Sequence, residues 1–423
     1  MSRCVVVADD LTGSCDAGHE FATRDYDTSV VLGTQTDAEP RSDVAVYNTE
    51  SRYADPEEAA DRVRTVLEDS DPAVAYKKVD STLRGNVRAE VDAATRAVDP
   101  ALVVVAPAFP DNGRVTACGC HLVDGQLVTE SPPGQDEERP PTHDSLPEVF
   151  ASSEYPVEHV GVETVASGTA AVGDTFESLA TAADGPVVVT CDAVTDSHLA
   201  TLATAADDLD ERCLYVGSGG LARHIAVPGT PSGAGVDVDR SRSVVGVSGS
   251  VAPETLAQVV AVASDQRRQL DLETAVTDPS EARADLAARG RESVDEHGGV
   301  LLHSADDPSD VDRALAAGER AGVDSAAVRR RVTDALAVGA AGVVGDGRAS
   351  NLFLTGGETA RAVFDSLDAT ALRMAGEAVA PGIPLATVEG GVADGAAVVT
   401  KAGGFGDEQA IIKSLARLGL RDE

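Results

Sequence analysis

Two α/β domains, each with a largely parallel sheet flanked by helices, are what this 423-residue sequence predicts. Three observations carry the expectation. Short β-branched runs alternate with longer alanine-rich amphipathic stretches, the pattern of strands covered by helices. A stretch of linker composition, Ala226-Val227-Pro228-Gly229-Thr230-Pro231-Ser232-Gly233-Ala234-Gly235, interrupts the alternation once. The rhythm then resumes with Ser243-Val244-Val245-Gly246-Val247. The expected organisation is a first domain over residues 1–228, a linker over 229–242 and a second domain over 243–423.

In the first half the strand-like runs are Cys4–Ala8, Ser29–Leu32, Val44–Tyr47, Leu102–Ala106, Val187–Thr190 and Cys213–Val216. Their nearly unbroken hydrophobicity fits strands buried on both faces. Between them lie helical stretches, Pro56–Glu68, Asn86–Ala97, Ala170–Ala183 and Asp196–Leu209. Ser131–Pro147, rich in Pro, Glu and Asp, reads as a long loop. In the second half the strand-like runs are Val244–Val247, Val300–Leu302, Leu352–Leu354 and Val398–Thr400. The helical stretches there are Pro253–Ser264, Ser280–Glu296, Val311–Gly318 with Ala326–Gly339, and Glu358–Leu367, and the loosely glycine-rich run Gly339–Gly347 reads as a helix end and turn.

Composition narrows the function. The chain carries 71 Asp+Glu against 34 Lys+Arg, a formal net charge of −37, spread along its whole length. Such a surface offers no basic face for a nucleic-acid backbone. An acid-rich, lysine-poor chain is what a salt-rich cytoplasm favours, because high ionic strength screens self-repulsion. No apolar run approaches the roughly 20 residues needed to span a bilayer, and Met1–Val7 runs directly into a polar loop, so a soluble cytoplasmic protein is expected. The scattered cysteines read as buried thiols in a reducing compartment; Cys118-Gly119-Cys120 lacks the second ligand pair a structural zinc site needs.

Only four lysines occur, Lys77, Lys78, Lys401 and Lys413. Two of them fall in Lys77-Lys78-Val79-Asp80-Ser81-Thr82-Leu83-Arg84-Gly85, the densest cationic cluster in the chain. Lys77, Lys78 and Arg84 supply charge and Ser81 and Thr82 hydroxyls, a combination suited to a carboxylate or phosphate; the bland alternative is a strand end with solvated basic residues. A second motif, Val7-Ala8-Asp9-Asp10-Leu11-Thr12-Gly13, ends a buried strand in paired carboxylates. Acids there can take a substrate hydroxyl, hold hydrated Mg²⁺ or act as a general base; simple helix capping needs only one of them. A third, Pro107-Ala108-Phe109-Pro110-Asp111-Asn112-Gly113-Arg114, follows another strand, and Arg114 could grip an acidic ligand. In the second half, Ser248-Gly249-Ser250, Thr355-Gly356-Gly357-Glu358-Thr359 and Lys401-Ala402-Gly403-Gly404-Phe405-Gly406 each follow a strand. Three glycine- and hydroxyl-rich junctions make a phosphate cradle, with no P-loop and no dinucleotide-type glycine motif present.

Six segments, in order, resemble the four-carbon acid sugar kinase family along nearly the whole chain. They are Val7–Gly13, Lys77–Asn86, Pro107–Pro110 with Gly113-Arg114, Gly217-Ser218-Gly219-Gly220-Leu221-Ala222, Thr355–Thr359 and Lys401–Gly406. Ala402 and Gly404 stand where the family usually has Ser and Asn, and Ser131–Pro147 keeps only a His143-Asp144 trace of its pattern. The resemblance implies an N-terminal domain for the sugar acid, a C-terminal domain for ATP and an active site in the interdomain cleft. It places Asp9, Asp10, Lys77, Lys78, Asp80, Ser81, Arg84 and Arg114 toward substrate. It places Ser248, Ser250, Gly356, Gly357, Glu358, Thr359, Gly403, Gly404 and Gly406 toward nucleotide, and Lys401 belongs to the same motif. Asp10 or Asp80 is the expected catalytic acid residue, orienting or deprotonating a hydroxyl, with Mg²⁺ accompanying ATP. The partner expected is a small sugar acid, threonate, erythronate or 3-oxo-tetronate, with neither nucleic acid nor membrane; a homo-oligomer is compatible with this reading. The alternatives are an isomerase or lyase acting on a related acid, separated by ATP consumption, and a non-catalytic sensor that binds both ligands without releasing ADP.

Overall fold

The computed structural model describes residues 2–34, 42–233, 235–345 and 350–420. Ala234 of the expected linker, Asp346-Gly347 of the glycine-rich run, and Met1 and residues 421–423 of the two expected domains lie outside the described residues. The chain divides into two compact units, Met1–Gly233 and Ala234–Glu423.

The first unit contains strands β1 (Cys4–Ala8), β2 (Thr28–Val31), β3 (Val44–Asn48), β4 (Val74–Lys78), β5 (Leu102–Ala106), β6 (Arg114–Ala117), β7 (Cys120–Val123), β8 (Gln126–Leu127), β9 (Val157–Val160), β10 (Val187–Cys191) and β11 (Cys213–Gly217). Its main sheet runs in the order β2-β3-β1-β4-β11-β5-β10-β9, with every pairing parallel. Strands β1, β5, β10 and β11 are buried throughout, as runs covered on both faces must be. Strands β6, β7 and β8 form a small antiparallel sheet. From β1 the chain goes to β2, returns to β3 beside β1, then crosses to β4 on the other side. The switch point therefore lies between β1 and β4, where open α/β sheets place their ligands. Register aligns the strand ends there: Ala8 pairs with Asn48 and Lys78, and Gly217 with Lys78 and Ala106.

The second unit contains β12 (Ser243–Ser248), β13 (Arg267–Gln269), β14 (Gly299–His303), β15 (Ser350–Thr355), β16 (Ala371–Ala380), β17 (Ile383–Glu389) and β18 (Ala397–Lys401), in the order β13-β14-β12-β15-β18-β17-β16. The first five in that order pair in parallel, and β17 pairs antiparallel with both β18 and β16. Its switch point lies between β12 and β15. Ser248 pairs with both His303 and Thr355, and Thr355 with Lys401, so the three glycine-rich junctions end in one row. Each unit has its own apolar core, one built around Val7, Val91, Val105 and Val216, the other around Val244, Phe353, Val399 and Ile411.

Candidate active site

In the first unit the row of strand ends carries a charge network centred on Arg52, four residues past the end of β3. Its Nε donates to Asp9 Oδ2 at 2.8 Å, its Nη2 to Asp9 Oδ1 at 3.1 Å and its Nη1 to Asp10 Oδ2 at 2.8 Å. Asp80 Oδ1 stands 3.8 Å from Nη2. Asn86 holds this arginine's loop in place by donating to the Ser51 and Ala54 carbonyls at 2.9 and 3.0 Å. Asp10 also does what the adjacent acid pair made ambiguous: in extended backbone (φ −145°, ψ 162°) it caps the helix Leu11–Ala22, its Oδ1 accepting from the Gly13 N–H at 2.8 Å. One carboxylate thus serves both the helix and the network.

The loop after β4 closes on the same centre. Arg84 donates from Nε to Asp80 Oδ2 at 2.7 Å, and the Thr82 hydroxyl donates to the same oxygen. Leu83 at φ 59° and Gly85 at φ 92° make the left-handed turns that bring Arg84 back over Asp80. Buried His121 pins the loop from beneath. The Ser81 carbonyl, 2.8 Å from Nε2, can only accept, so Nε2 carries the proton and Nδ1 takes the Thr116 hydroxyl at 2.9 Å. Burial pushes the ring's pKa below the usual histidine value, which keeps it neutral. The acidic segment Ser131–Pro147 also packs here: the Arg139 carbonyl accepts from the Gly85 N–H at 3.1 Å, and Asp136 takes the Tyr53 hydroxyl at 3.1 Å, 3.8 Å from Arg84.

The two lysines part company, because successive strand residues face opposite sides of a sheet. Lys77 is fully buried and pairs with buried Glu90 at 2.9 Å, while also donating to the Lys78 carbonyl at 2.6 Å. It has no route to a ligand and can offer one only its field. Lys78 lies on the other face beside the helix Leu11–Ala22; a Cβ on Gly13 would stand 3.2 Å from its Nζ. Among the described residues it makes one hydrogen bond, to the Val79 carbonyl at 3.0 Å, and so keeps donors for an anion. Arg114 stands apart: Nη1 goes to the Asn112 carbonyl and its buried Nε has no partner among the described residues.

Burial alone would raise the carboxyls of Asp9 and Asp80, yet both are held below the usual range, Asp9 by Arg52 and Lys77, Asp80 by Arg84, Arg52 and the Thr82 hydroxyl. Much of the positive charge concentrated in this stretch is therefore taken up by buried acids. What remains for a ligand is Lys78, itself buried but with donors left over, and the partly exposed rim of Arg84. The Lys77–Glu90 pair yields a stability prediction. Glu90→Gln leaves a buried ammonium without its counter-charge and lowers stability by about 3–5 kcal/mol, whereas Lys77→Met/Glu90→Gln recovers most of it. Denaturant unfolding of the two variants checks this.

In the second unit, Ser250, Gly356 and Gly403 come together. A Cβ on Gly356, whose φ is 96°, would stand 3.2 Å from the Ser250 amide nitrogen, and one on Gly403 2.7 Å from Ser250 Oγ. Gly249 leaves room for the Thr359 hydroxyl. Ser248 is buried in the same row, and the buried Thr355 hydroxyl has no partner among the described residues, an orphaned donor suited to a phosphate oxygen. Gly357 opens the helix Gly357–Ser366, and Glu358 is exposed on its first turn. Lys401 shapes the last loop from within. It donates to Thr255 Oγ1 at 2.9 Å and to the carbonyls of Ala402, Gly403 and Phe405 at 3.0–3.2 Å; burial pushes its pKa down to about 8. Gly404 is exposed, with open space where a Cβ would stand, and Gly406, at φ 85°, turns the chain against Ala410.

The comparisons agree with this division. Residues 4–225 match a family model described as a sugar-binding N-terminal domain, and residues 245–411 one described as a nucleotide-binding C-terminal domain. A D-threonate kinase of Salmonella typhimurium is 34% identical over 395 residues, covering 91% of each chain. A 3-oxo-tetronate kinase of Methylobacterium radiotolerans is 30% identical over 91% of this chain and 92% of its own, and a D-erythronate kinase of Heliobacterium modesticaldum 29% identical over 90% and 89%. Among solved structures, a Salmonella typhimurium protein described as a putative tRNA synthase superposes with TM-score 0.83 at 24% identity over 99% of each chain. A Haemophilus influenzae protein superposes with TM-score 0.77, also at 24%, over 98% of this chain and 100% of that one. These two likenesses establish the fold.

A sugar-binding unit followed by a nucleotide-binding unit defines a carbohydrate kinase. The chain belongs to the four-carbon acid sugar kinase family. Its enzyme class is that of a carbohydrate-acid kinase, and the isomerase, lyase and sensor alternatives fall away.

Proposed function

We propose that the protein transfers the γ-phosphoryl group of Mg-ATP to a hydroxyl of a four-carbon sugar acid, in the range of threonate, erythronate and 3-oxo-tetronate that its relatives' names span. The observation that carries this reading is the row of strand ends at each switch point: Lys78 with unused donors in one unit, the Ser250–Gly356–Gly403 cradle in the other. In this reading Lys78 and Arg84 take the substrate carboxylate, helped by Ser81 and Arg114, while Lys77 and Asp9 set the local field. Asp10 and Asp80 orient Arg52 and Arg84, and through them the substrate. Ser248, Ser250, Thr359 and the backbone at Gly356, Gly357 and Gly403 receive the triphosphate, with Lys401 and the turns at Gly404 and Gly406 shaping the loop and Glu358 beside it. Mg²⁺ would arrive with the triphosphate, where hydroxyls such as Thr355 and Ser250 can meet its waters, and would neutralise charge as it develops. Transfer needs mainly positioning and charge neutralisation, which is what these groups supply.

The acid excess goes with a cytoplasm of high ionic strength, and among the described residues no helix is long and apolar enough to cross a membrane. The test is an ADP-release screen of C3–C6 sugar acids with Mg-ATP in molar KCl. ADP appears in step with a phosphorylated four-carbon acid, and the rate falls sharply when salt is removed. Hydrolysis of ATP without a phosphorylated acid, or no ADP with any acid, contradicts the reading.

A further inference from the structure

We propose that Asp16 is the general base of this reaction, the carboxylate that takes the hydroxyl proton as the substrate oxygen attacks the γ-phosphoryl group. The inference rests on the kinase reading and goes beyond it by naming the residue that moves the proton. Asp9, Asp10 and Asp80 each bind a guanidinium. An acid clamped in this way is a poor proton acceptor. Asp16 differs: among the described residues it makes no hydrogen bond and no ion pair, while remaining only partly buried.

Its position is also apt. Asp16 lies three residues beyond Gly13 on the helix Leu11–Ala22, hence on the same face and about 4.5 Å further along the axis. Gly13 is where Lys78 presents its ammonium. Lys78 also acts on the Asp16 carboxyl, so a sugar acid whose carboxylate meets Lys78 would have a hydroxyl near Asp16. Space for this carboxylate is kept by Gly219, at the end of β11. A Cβ there would stand 2.5 Å from Asp16 Oδ2 and 3.0 Å from the Phe109 ring. The absent side chain leaves the carboxylate at the same edge as Lys78, since Gly217 and Lys78 are register partners.

The groups that act on Asp16 are Lys78 and Tyr76 on β4, Glu20 and Asp10 on its own helix and its cap, and Arg223 just after the turn Gly219–Ala222. Burial pushes the carboxyl up to about 6; Glu20 and Asp10 raise it, and Lys78 and Arg223 pull it down. A base of that strength is ionised at neutral pH and still able to accept a proton. In the step, the substrate O–H bond breaks and its proton goes to Asp16. The oxygen bonds to the γ-phosphorus, the bond to the β-bridging oxygen breaks, and the electron pair leaves with ADP. Asp16 then returns the proton to solvent.

Steady-state kinetics at saturating Mg-ATP test it. Asp16→Asn should lower kcat by about 10²–10⁴-fold while the KM for the acid changes less than about threefold. The wild-type kcat should fall with decreasing pH along a limb near 6 that the Asn variant lacks. Glu20→Gln, which removes a neighbouring negative charge, should move that limb to lower pH. The inference is overturned if Asp16→Asn keeps kcat within about threefold of wild type, or if the wild-type profile is flat from about pH 5 to 8. Should Asp16→Asn fail to fold, the limb and its shift in Glu20→Gln decide. A wild type that forms no ADP with any sugar acid overturns the kinase reading and this inference with it; an active wild type with a flat profile overturns the base alone.

Discussion

Arg52→Ala removes on the order of 3–5 kcal/mol of stability and abolishes turnover. The reason is the number of carboxylates one guanidinium serves. Asp9 and Asp80 are buried, Asp10 is partly so, and Arg52 reaches all three. Without it their charges face one another at the end of a buried strand, and the cap of the helix Leu11–Ala22 loses its second partner. Arg52→Lys should fall between, because a single ammonium cannot reproduce the planar fork. The effect depends on pH with a definite sign. Burial raises the Asp9 and Asp80 carboxyls, but Arg52 and its neighbours outweigh it and hold both below the unfolded value of 3.8. In the wild type their contribution is therefore present above that value and lost only as pH falls below it. In Arg52→Ala, Asp9 loses the cation that chiefly held it down while Arg84 still holds Asp80, so lowering the pH from neutral toward 4 protonates Asp9 first and relieves the repulsion. The stability gap between the two proteins should narrow over that range. Urea unfolding at several pH values measures it, and a gap that stays constant contradicts the network.

Gly356→Ala should raise the KM for ATP by about 10–100-fold, or 1.4–2.8 kcal/mol, and leave the KM for the sugar acid unchanged. At φ 96° and ψ 115° the residue occupies backbone space that L side chains rarely adopt. An alanine Cβ would also meet the Ser250 amide nitrogen at 3.2 Å. Keeping the turn would cost about 1–3 kcal/mol of strain; relaxing it would move the start of the helix Gly357–Ser366 and the amide at Ser250 away from a phosphate. Either way the damage is confined to the nucleotide unit. Initial rates with each substrate varied in turn check the split, and an equal rise in both KM values contradicts it.

Much of the fold was legible because its strands are buried on both faces. Runs such as Cys4–Ala8 and Leu102–Ala106 hold nothing but apolar residues, and their strands have those bounds. Strand β4 was harder to read. It ends in two lysines, and the partner that allows Lys77 to be buried, Glu90, sits on a helix beyond the next loop. Strands β16 and β17 were missed altogether. Ala371–Ala380 carries Ala, Gly, Arg and Glu where a strand favours β-branched residues, and antiparallel pairing rather than propensity makes it one. At the site, the motifs fall on strand ends beside the two switch points, but they do not tell how charge is shared among them. Arg52 was overlooked because it lies in an unremarkable segment, Thr49-Glu50-Ser51-Arg52; its place just past a strand-like run, Val44–Tyr47, was the available signal. Asp16 lies six residues past Asp10, and that it makes no hydrogen bond or ion pair among the described residues appears only when every neighbour is in place.

The central claim is that the carboxylate of the sugar acid is gripped at the strand edge of the first unit by Lys78, while the nucleotide is held independently by the second. Calorimetric titration of Lys78→Met with the acid that supports turnover, and separately with a non-hydrolysable ATP analogue, addresses this most directly. Loss of a hydrogen-bonded charge of this kind is worth about 1.5–3 kcal/mol. The expected result is acid affinity lowered roughly 10–150-fold with analogue affinity at the wild-type value. Wild-type affinity for the acid in Lys78→Met, or equal loss of both ligands, would contradict the account.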